Sequence, residues 1–378
     1  MLVAAEASGD DRGADLMRAL KSRCNGQVRF VGVGGARMAA EGLASPFDIA
    51  ELSVLGLLEG VMAYPKVVRR ADETAAIAAH EKPDVAILID SWGFTLRVAQ
   101  RLRRLDPTLP LIKYVAPQVW ASRPGRAKVL AAAVDHLLSI HRFDAPYFEA
   151  AGLPTTFVGN STLSLDLSRA EPIATGGEPV LLVLPGSRPS EIRHVLPPFE
   201  EAIEVLQAAR PDLRVLIPAA PTVAGLVKAR AEGWRFRAEV LEGEGAKLGA
   251  MKAATVALAC SGTVTTELAL AGCPVVVGYR LGRVTHFLLK RLIRTPWITL
   301  FNIAAQDFVA PELVQDDCNG ADLAAAVEAR LADPDLRESQ VRRQFEALDL
   351  MGRGGPEPSD VAAGAVLGLL AARTAARG

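Results

Sequence analysis

Cysteine is scarce and scattered in this chain of 378 residues. Cys24, Cys260, Cys273 and Cys318 form no C-x-x-C pair. Neither a disulfide framework nor a structural zinc is expected, and a reducing compartment fits. The five histidines, His80, His136, His141, His194 and His286, form no H-E-x-x-H or H-x-x-E-H pattern, so no metal site is read. There is no G-x-S-x-G elbow, which argues against a serine hydrolase. G-x-G-x-x-G is missing after the first strand, and Gly32-Val33-Gly34-Gly35 has the wrong spacing, which argues against a nicotinamide-type site. No apolar run approaches the roughly 20 residues of a spanning helix. No basic segment precedes an apolar run at the N-terminus, so no signal peptide is expected. A net charge of −1 offers nucleic acid no global attraction.

What is present is hydrophobic residue in quantity, 50% of the chain, enough for two cores at this length. Short apolar runs alternate with helix-period segments. In the first half, strands are expected over 2–5, 28–33, 85–89, 111–115, 136–140 and 156–158. In the second, they are expected over 180–184, 214–217, 238–241, 256–259 and 275–277. Such alternation predicts an α/β fold of two doubly wound, Rossmann-like domains facing a cleft. The N-terminal domain is placed at 1–163 and the C-terminal one at 178–350. A polar, aperiodic stretch, 164–177, reads as the linker. A Gly/Pro break at 352–358 precedes a last helix within 351–378. That helix either returns to the first domain or is exchanged between protomers of a homodimer.

The unit over 256–279 is a strand, a small-residue turn, a short helix and a second strand. Its turn, Ser261-Gly262-Thr263, has two readings. It caps a helix, or it lets an anion approach the helix's first N–H groups. Glu267, one helical turn on, then reaches sugar hydroxyls. Pro185-Gly186-Ser187-Arg188 follows another strand, and a Gly-Ser turn with an Arg suits a diphosphate. Asn302, Glu312 and Gln315 carry groups suited to a base or a sugar, or to structural roles.

In the first domain, Glu6-Ala7-Ser8-Gly9-Asp10 follows the first strand. Asp10 suits a helix cap, and Glu6, Ser8 and Gly9 suit either a cleft lining or plain turn chemistry. Asp90 ends a very apolar strand and is either a general base or a helix cap. Gln118 and Trp120 suit sugar or acyl contacts, or packing; Arg123 suits an acceptor phosphate, or solvent. Two apolar–basic stretches suit a membrane interface or a lipid chain, or ordinary helix packing. One covers 52–70. The other holds Arg280, Arg283, Lys290, Arg291 and Arg294 among Phe287, Leu288, Leu289, Leu292, Ile293 and Trp297.

Taken together, these segments resemble the lipid-A-disaccharide synthases, glycosyltransferases of the GT-B fold. The resemblance rests on VGVGGARMAAEG at 31–42, Ile89-Asp90-Ser91 with Phe94, and 114–120. It rests also on LPGSRPSE at 184–191, 261–267, and Asn302 with Glu312-Leu313-Val314-Gln315. It implies transfer from UDP-2,3-diacylglucosamine to 2,3-diacylglucosamine 1-phosphate (lipid X), forming a β-1,6 bond with inversion and releasing UDP. No cofactor or metal is implied. Asp90 matches the family's candidate base, with Glu6 a second catalytic candidate. Arg188 and the turn at 261–263 are expected to hold the diphosphate and Glu267 the ribose. Two acylated substrates imply a cytoplasmic enzyme working at the inner face of the membrane. Alternatives are a UDP-N-acetylglucosamine-type epimerase and a catalytically altered UDP-binding relative. The chain departs from the family pattern at Ala5, Trp92-Gly93, His141-Arg142, Asn160-Ser161 and Phe301, and Trp92-Gly93 removes a second carboxylate near Asp90.

Overall fold

Strands covered on both faces need no polar alternation. Val180–Leu184 (VLLVL) and Val256–Ala259 (VALA) have none and are buried at every position. The computed structural model describes residues 1–52, 57–282 and 295–377, with side chains except at 57–63, 376 and 377. Within them, such runs build two six-stranded sheets with every pairing parallel.

The first sheet holds β1 (Leu2–Ala4), β2 (Gly32–Val33), β3 (Ala86–Ile89), β4 (Leu111–Tyr114), β5 (His136–Ser139) and β6 (Thr155–Phe157). Their order is β2-β1-β3-β4-β5-β6. The second holds β7 (Val180–Leu184), β8 (Arg214–Pro218), β9 (Glu239–Leu241), β10 (Val256–Ala259), β11 (Val275–Tyr279) and β12 (Glu312–Val314). Their order is β12-β11-β10-β7-β8-β9. Each order reverses once, at β1/β3 and at β7/β10. Loops at the carboxyl ends of such a strand pair diverge, and the gap between them is where doubly wound sheets take ligands.

The chain divides into two units, Met1–Asn160 with Gly355–Gly378, and Ser161–Gly354. The last helix, Pro358–Arg377, lies on helix Ala7–Arg23 of its own unit. Ala362, Ala363 and Val366 share a core with Leu16, Met17 and Leu20. The stretch 164–177, expected as a linker, is instead laid along helix Glu244–Ala253 of the second unit. Glu171 N donates to Gly245 O at 2.9 Å, and a Cβ on Gly249 would lie 2.0 Å from Glu171 O. Leu165, Leu167 and Ile173 pack on that unit's core. This backbone and side-chain docking needs no helical period, so the sequence pattern carries no trace of it.

Other expectations are corrected. β12 was not expected as a strand, since three residues are too few to show a period. β2 is two residues rather than six. Helix Ala7–Arg23 starts directly after β1, so Asp10 lies inside it and does not cap it. Asp10 is buried and caps the next helix, Ala36–Ala40, accepting from the N–H groups of Gly35 (2.7 Å), Arg37 (2.9 Å) and Met38 (3.0 Å). Much of the apolar stretch at 52–68 lies outside the described side chains. Arg283, Lys290, Arg291 and Arg294, with Phe287, Leu288, Leu289, Leu292 and Ile293, lie outside the described residues altogether, as does His286. Among the described residues no helix is long and apolar enough to cross a membrane.

Asp10→Ala leaves three N–H groups, that of buried Met38 among them, without this acceptor. Urea unfolding is expected to show a loss of about 1–3 kcal/mol, the cost of one buried orphan donor. A loss below about 0.5 kcal/mol would contradict the capping role.

Candidate functional site

At the β7/β10 switch point the second unit holds a cavity of about 510 Å³. Its walls are the loop after β7, the turn after β10 and one flank of helix Glu244–Ala253. Gly186, Ser187, Arg188, Ser261, Gly262, Thr263 and Glu267, all expected at a donor site, line it together. Helix Thr263–Leu270 starts at the cavity wall with no side-chain cap, so its first N–H groups and positive dipole end meet the space. The Ser261 hydroxyl donates to Ile298 O at 3.0 Å, which ties the segment 295–298 to this turn.

Sequence reading missed Lys247. Its ammonium donates to Glu267 Oε2 at 3.0 Å and pairs with Glu244 Oε1 at 2.8 Å, inside the cavity wall. Burial lowers its pKa, but the two carboxylates more than offset this and the net shift is upward. The one signal for it is Glu244 three residues earlier, which any solvated helix face shows equally well.

The loop after β7 departs from expectation. The N–H groups of Ser187 and Arg188 are occupied by Glu191 Oε2, at 2.8 and 3.1 Å, so they do not form a vacant phosphate cradle. Gly186 has φ +120°, and a Cβ there would sit 2.3 Å from Glu191 Oε2. The glycine therefore serves the Glu191 cap. The Arg188 side chain is 73% exposed and touches Glu191 Oε1 only at 3.3 Å, so its fork remains available.

Asn302 is corrected. It is fully buried, and its amide donates to Ala310 O (2.9 Å) and Glu312 Oε1 (2.8 Å) while accepting from Val309 and Ala310 N–H. No hydrogen-bonding capacity remains for a ligand. Glu312 also accepts from Ile298 N, Thr299 N and Thr299 Oγ1, so it braces the segment behind Ser261. Burial raises its pKa against those donors. Gln315 is left-handed (φ +59°), its backbone N–H donates to Tyr279 O at 2.9 Å, and its side chain does not line the cavity.

In the first unit, Asp90 stands at the β1/β3 switch point. The Ser8 hydroxyl donates to its Oδ2 at 3.1 Å, Ser91 N–H to its Oδ1 at 3.0 Å, and Arg12 pairs with it at 3.6 Å. Asp90 caps no helix N–H beyond its neighbour's. The Asp90 side chain is 31% exposed, open enough to take a proton from a ligand. Buried Gly9 supports this approach: a Cβ there would meet Ala4 Cβ at 3.3 Å and Asp90 Cβ at 3.7 Å. Glu6 is exposed beside them. Lys113, also missed, lies beneath and donates to Asp90 O.

Of the loop residues, Gln118 and Arg123 are exposed, with Arg123 left-handed at φ +53°. Trp120 packs: its indole N–H donates to Asp144 Oδ1 at 3.1 Å and its ring meets Phe143 edge-on. Burial pushes the Asp144 carboxyl up to about 7, against the hydrogen bonds from Ser139, Trp120 and the His141 backbone.

Comparison with known proteins decides the family. A family profile described as lipid-A-disaccharide synthetase matches residues 1–357. The lipid-A-disaccharide synthase of Rhodospirillum centenum is 42% identical, covering 99% of this chain and 95% of that protein. One from Rhodopseudomonas palustris is 43% identical, covering 98% and 95%. The chain belongs to the lipid-A-disaccharide synthase family. It is thus a glycosyltransferase of the hexosyltransferase type. Solved structures share its fold. A Staphylococcus aureus MnaA–UDP co-structure matches with TM-score 0.59 at 13% identity, covering 90% of each chain. The glycotransferase of kitacinnamycin matches with TM-score 0.59 at 17% identity, covering 97% of each. The two parallel sheets are those of the GT-B fold.

The Asp144 carboxyl binds its proton more tightly folded than unfolded. It therefore favours folding at low pH and loses that contribution as pH rises from about 4 through about 7. Asp144→Asn removes the titration, so its stability relative to the parent should climb between pH 5 and 8 in urea titrations. A constant difference across that range would contradict the buried, proton-binding state.

Proposed function

We propose that this chain transfers the sugar of UDP-2,3-diacylglucosamine to the 6-hydroxyl of 2,3-diacylglucosamine 1-phosphate, giving the β-1,6 disaccharide and UDP. The observation that carries this reading is the separation of chemistry between the two switch points. One offers cations and a helix start around a nucleotide-sized cavity. The other offers a partly exposed carboxylate hydrogen-bonded to a serine.

Asp90 takes the proton of the acceptor hydroxyl as its oxygen bonds to the anomeric carbon. The bond from that carbon to the diphosphate oxygen breaks, and UDP leaves with the electron pair. Attack opposite the leaving group inverts the centre. Charge grows on the departing diphosphate, and stabilisation there contributes most to rate. Arg188, Lys247 and the N–H groups at Thr263 supply it, so the residues meet the need without a metal. Glu267, oriented by Lys247, accepts from the ribose hydroxyls. Glu191 shapes the loop that presents Arg188. The acylated substrates place the work at the inner face of the membrane, with the apolar–basic stretches as the contact.

Purified protein given both acylated sugars should release UDP and disaccharide in equal amounts, and chelator should leave the rate unchanged. Turnover of a soluble UDP-sugar alone would favour an epimerase; UDP binding without either reaction would favour an altered relative. Asp90→Asn should lower kcat about 10²- to 10⁴-fold with UDP affinity kept, and full activity would remove Asp90 as the base. Glu267→Gln should weaken UDP binding roughly tenfold, the worth of one charge-assisted hydrogen bond; unchanged affinity by calorimetry would remove its ribose role.

A further inference from the structure

Asp90 and Ser91 are both left-handed, at φ +51° and +37°. Each such residue that is not glycine is strained and persists only where its surroundings hold it. Here the holder is identifiable. β4 alternates, sending Ile112 and Tyr114 to one core of the first unit and Leu111 to the other. Lys113 follows Leu111's side, paired in register with Leu88, at a position where an aliphatic residue would pack. It is only 3% exposed. Burying an ammonium among apolar side chains is expensive unless specific partners receive it. Its partners are Asp90 O and Thr95 Oγ1, the latter at 2.8 Å. The Thr95 hydroxyl lies 2.8 Å from Asp90 O and 2.9 Å from Ser91 O. One amine and one hydroxyl thus grip the carbonyls of both strained residues.

We propose that Lys113 is a positioning residue for Asp90. Its ammonium and the Thr95 hydroxyl hold the left-handed Asp90–Ser91 pair, and so aim the carboxylate at Ser8 and Arg12. The inference rests on the reading of Asp90 as the base. A relaxed turn would carry the carboxylate away from Ser8, and a displacement of about 1 Å at a reacting group costs about 10²-fold in rate. The amine also adds a positive charge beneath the carboxylate. Asp90 and Glu6 face that amine and raise its pKa, burial lowers it more strongly, to about 7, and Arg12 adds a second positive charge at Asp90.

Lys113→Met fills the same space without a charge or a donor. Its kcat is expected to fall about 10- to 100-fold, with KM for the UDP-sugar unchanged. A folded Lys113→Met protein with parental kcat overturns the proposal, even if its Tm is lower. Should that variant fail to fold, Thr95→Val and Thr95→Ser decide. Valine should lose kcat and serine restore it, while equal rates overturn the clamp. Asp90→Asn run alongside separates the two ideas. If it stays active, the base assignment fails; if it is inactive while Lys113→Met and Thr95→Val are unimpaired, the clamp alone fails.

Discussion

A parallel sheet that grows outward from both sides of an early strand must send two successive loops apart. That geometric constraint underlies both centres described above. In the first unit the chain leaves β1 toward β2 and later leaves β3 toward β4, and the two strand ends carry Ser8 and Asp90. In the second it leaves β7 toward β8 and β10 toward β11, and a cavity lies there. The backbone route determines where a ligand fits before any side chain is considered.

Hydrogen-bond accounting then separates carboxylates that build the structure from those left to act. Asp10 accepts three backbone N–H groups and Glu312 two, besides a hydroxyl and an amide. Glu191 accepts two more and closes the loop at Gly186. These groups are spent on the fold. Asp90 accepts one backbone N–H and a serine hydroxyl, and Glu267 is held by one lysine. Both keep lone pairs facing a space. Two buried or half-buried lysines, Lys113 and Lys247, hold the backbone or side chain of these two acids. Acid placement in each unit therefore depends on a cation that no turn motif announces.

The fold was largely legible because its signals are local. Eleven of the twelve strands were expected from apolar runs. β12 escaped because Glu312–Val314 is too short for a period to show. The stretch 164–177 was misread because its binding to Gly245 and Gly249 is made by backbone and close approach, which composition does not encode.

The candidate site was half legible, for the same reason. Residues next to strand ends, such as Asp90, Gly186 and the turn at Ser261, are found by position in the chain, since a strand's carboxyl end presents them wherever the strand lies. The sequence by itself therefore determined the two parallel sheets, the families of turns at their ends and the kinship of the chain. Tertiary structure alone decided which polar groups remain free. It turned Asn302 into a saturated brace, put Glu191 into the N–H groups of Ser187 and Arg188, and brought Lys113 under Asp90 and Lys247 to Glu267. Those pairings join residues from different elements, and the free energy of a polar group depends on the partner it meets in space.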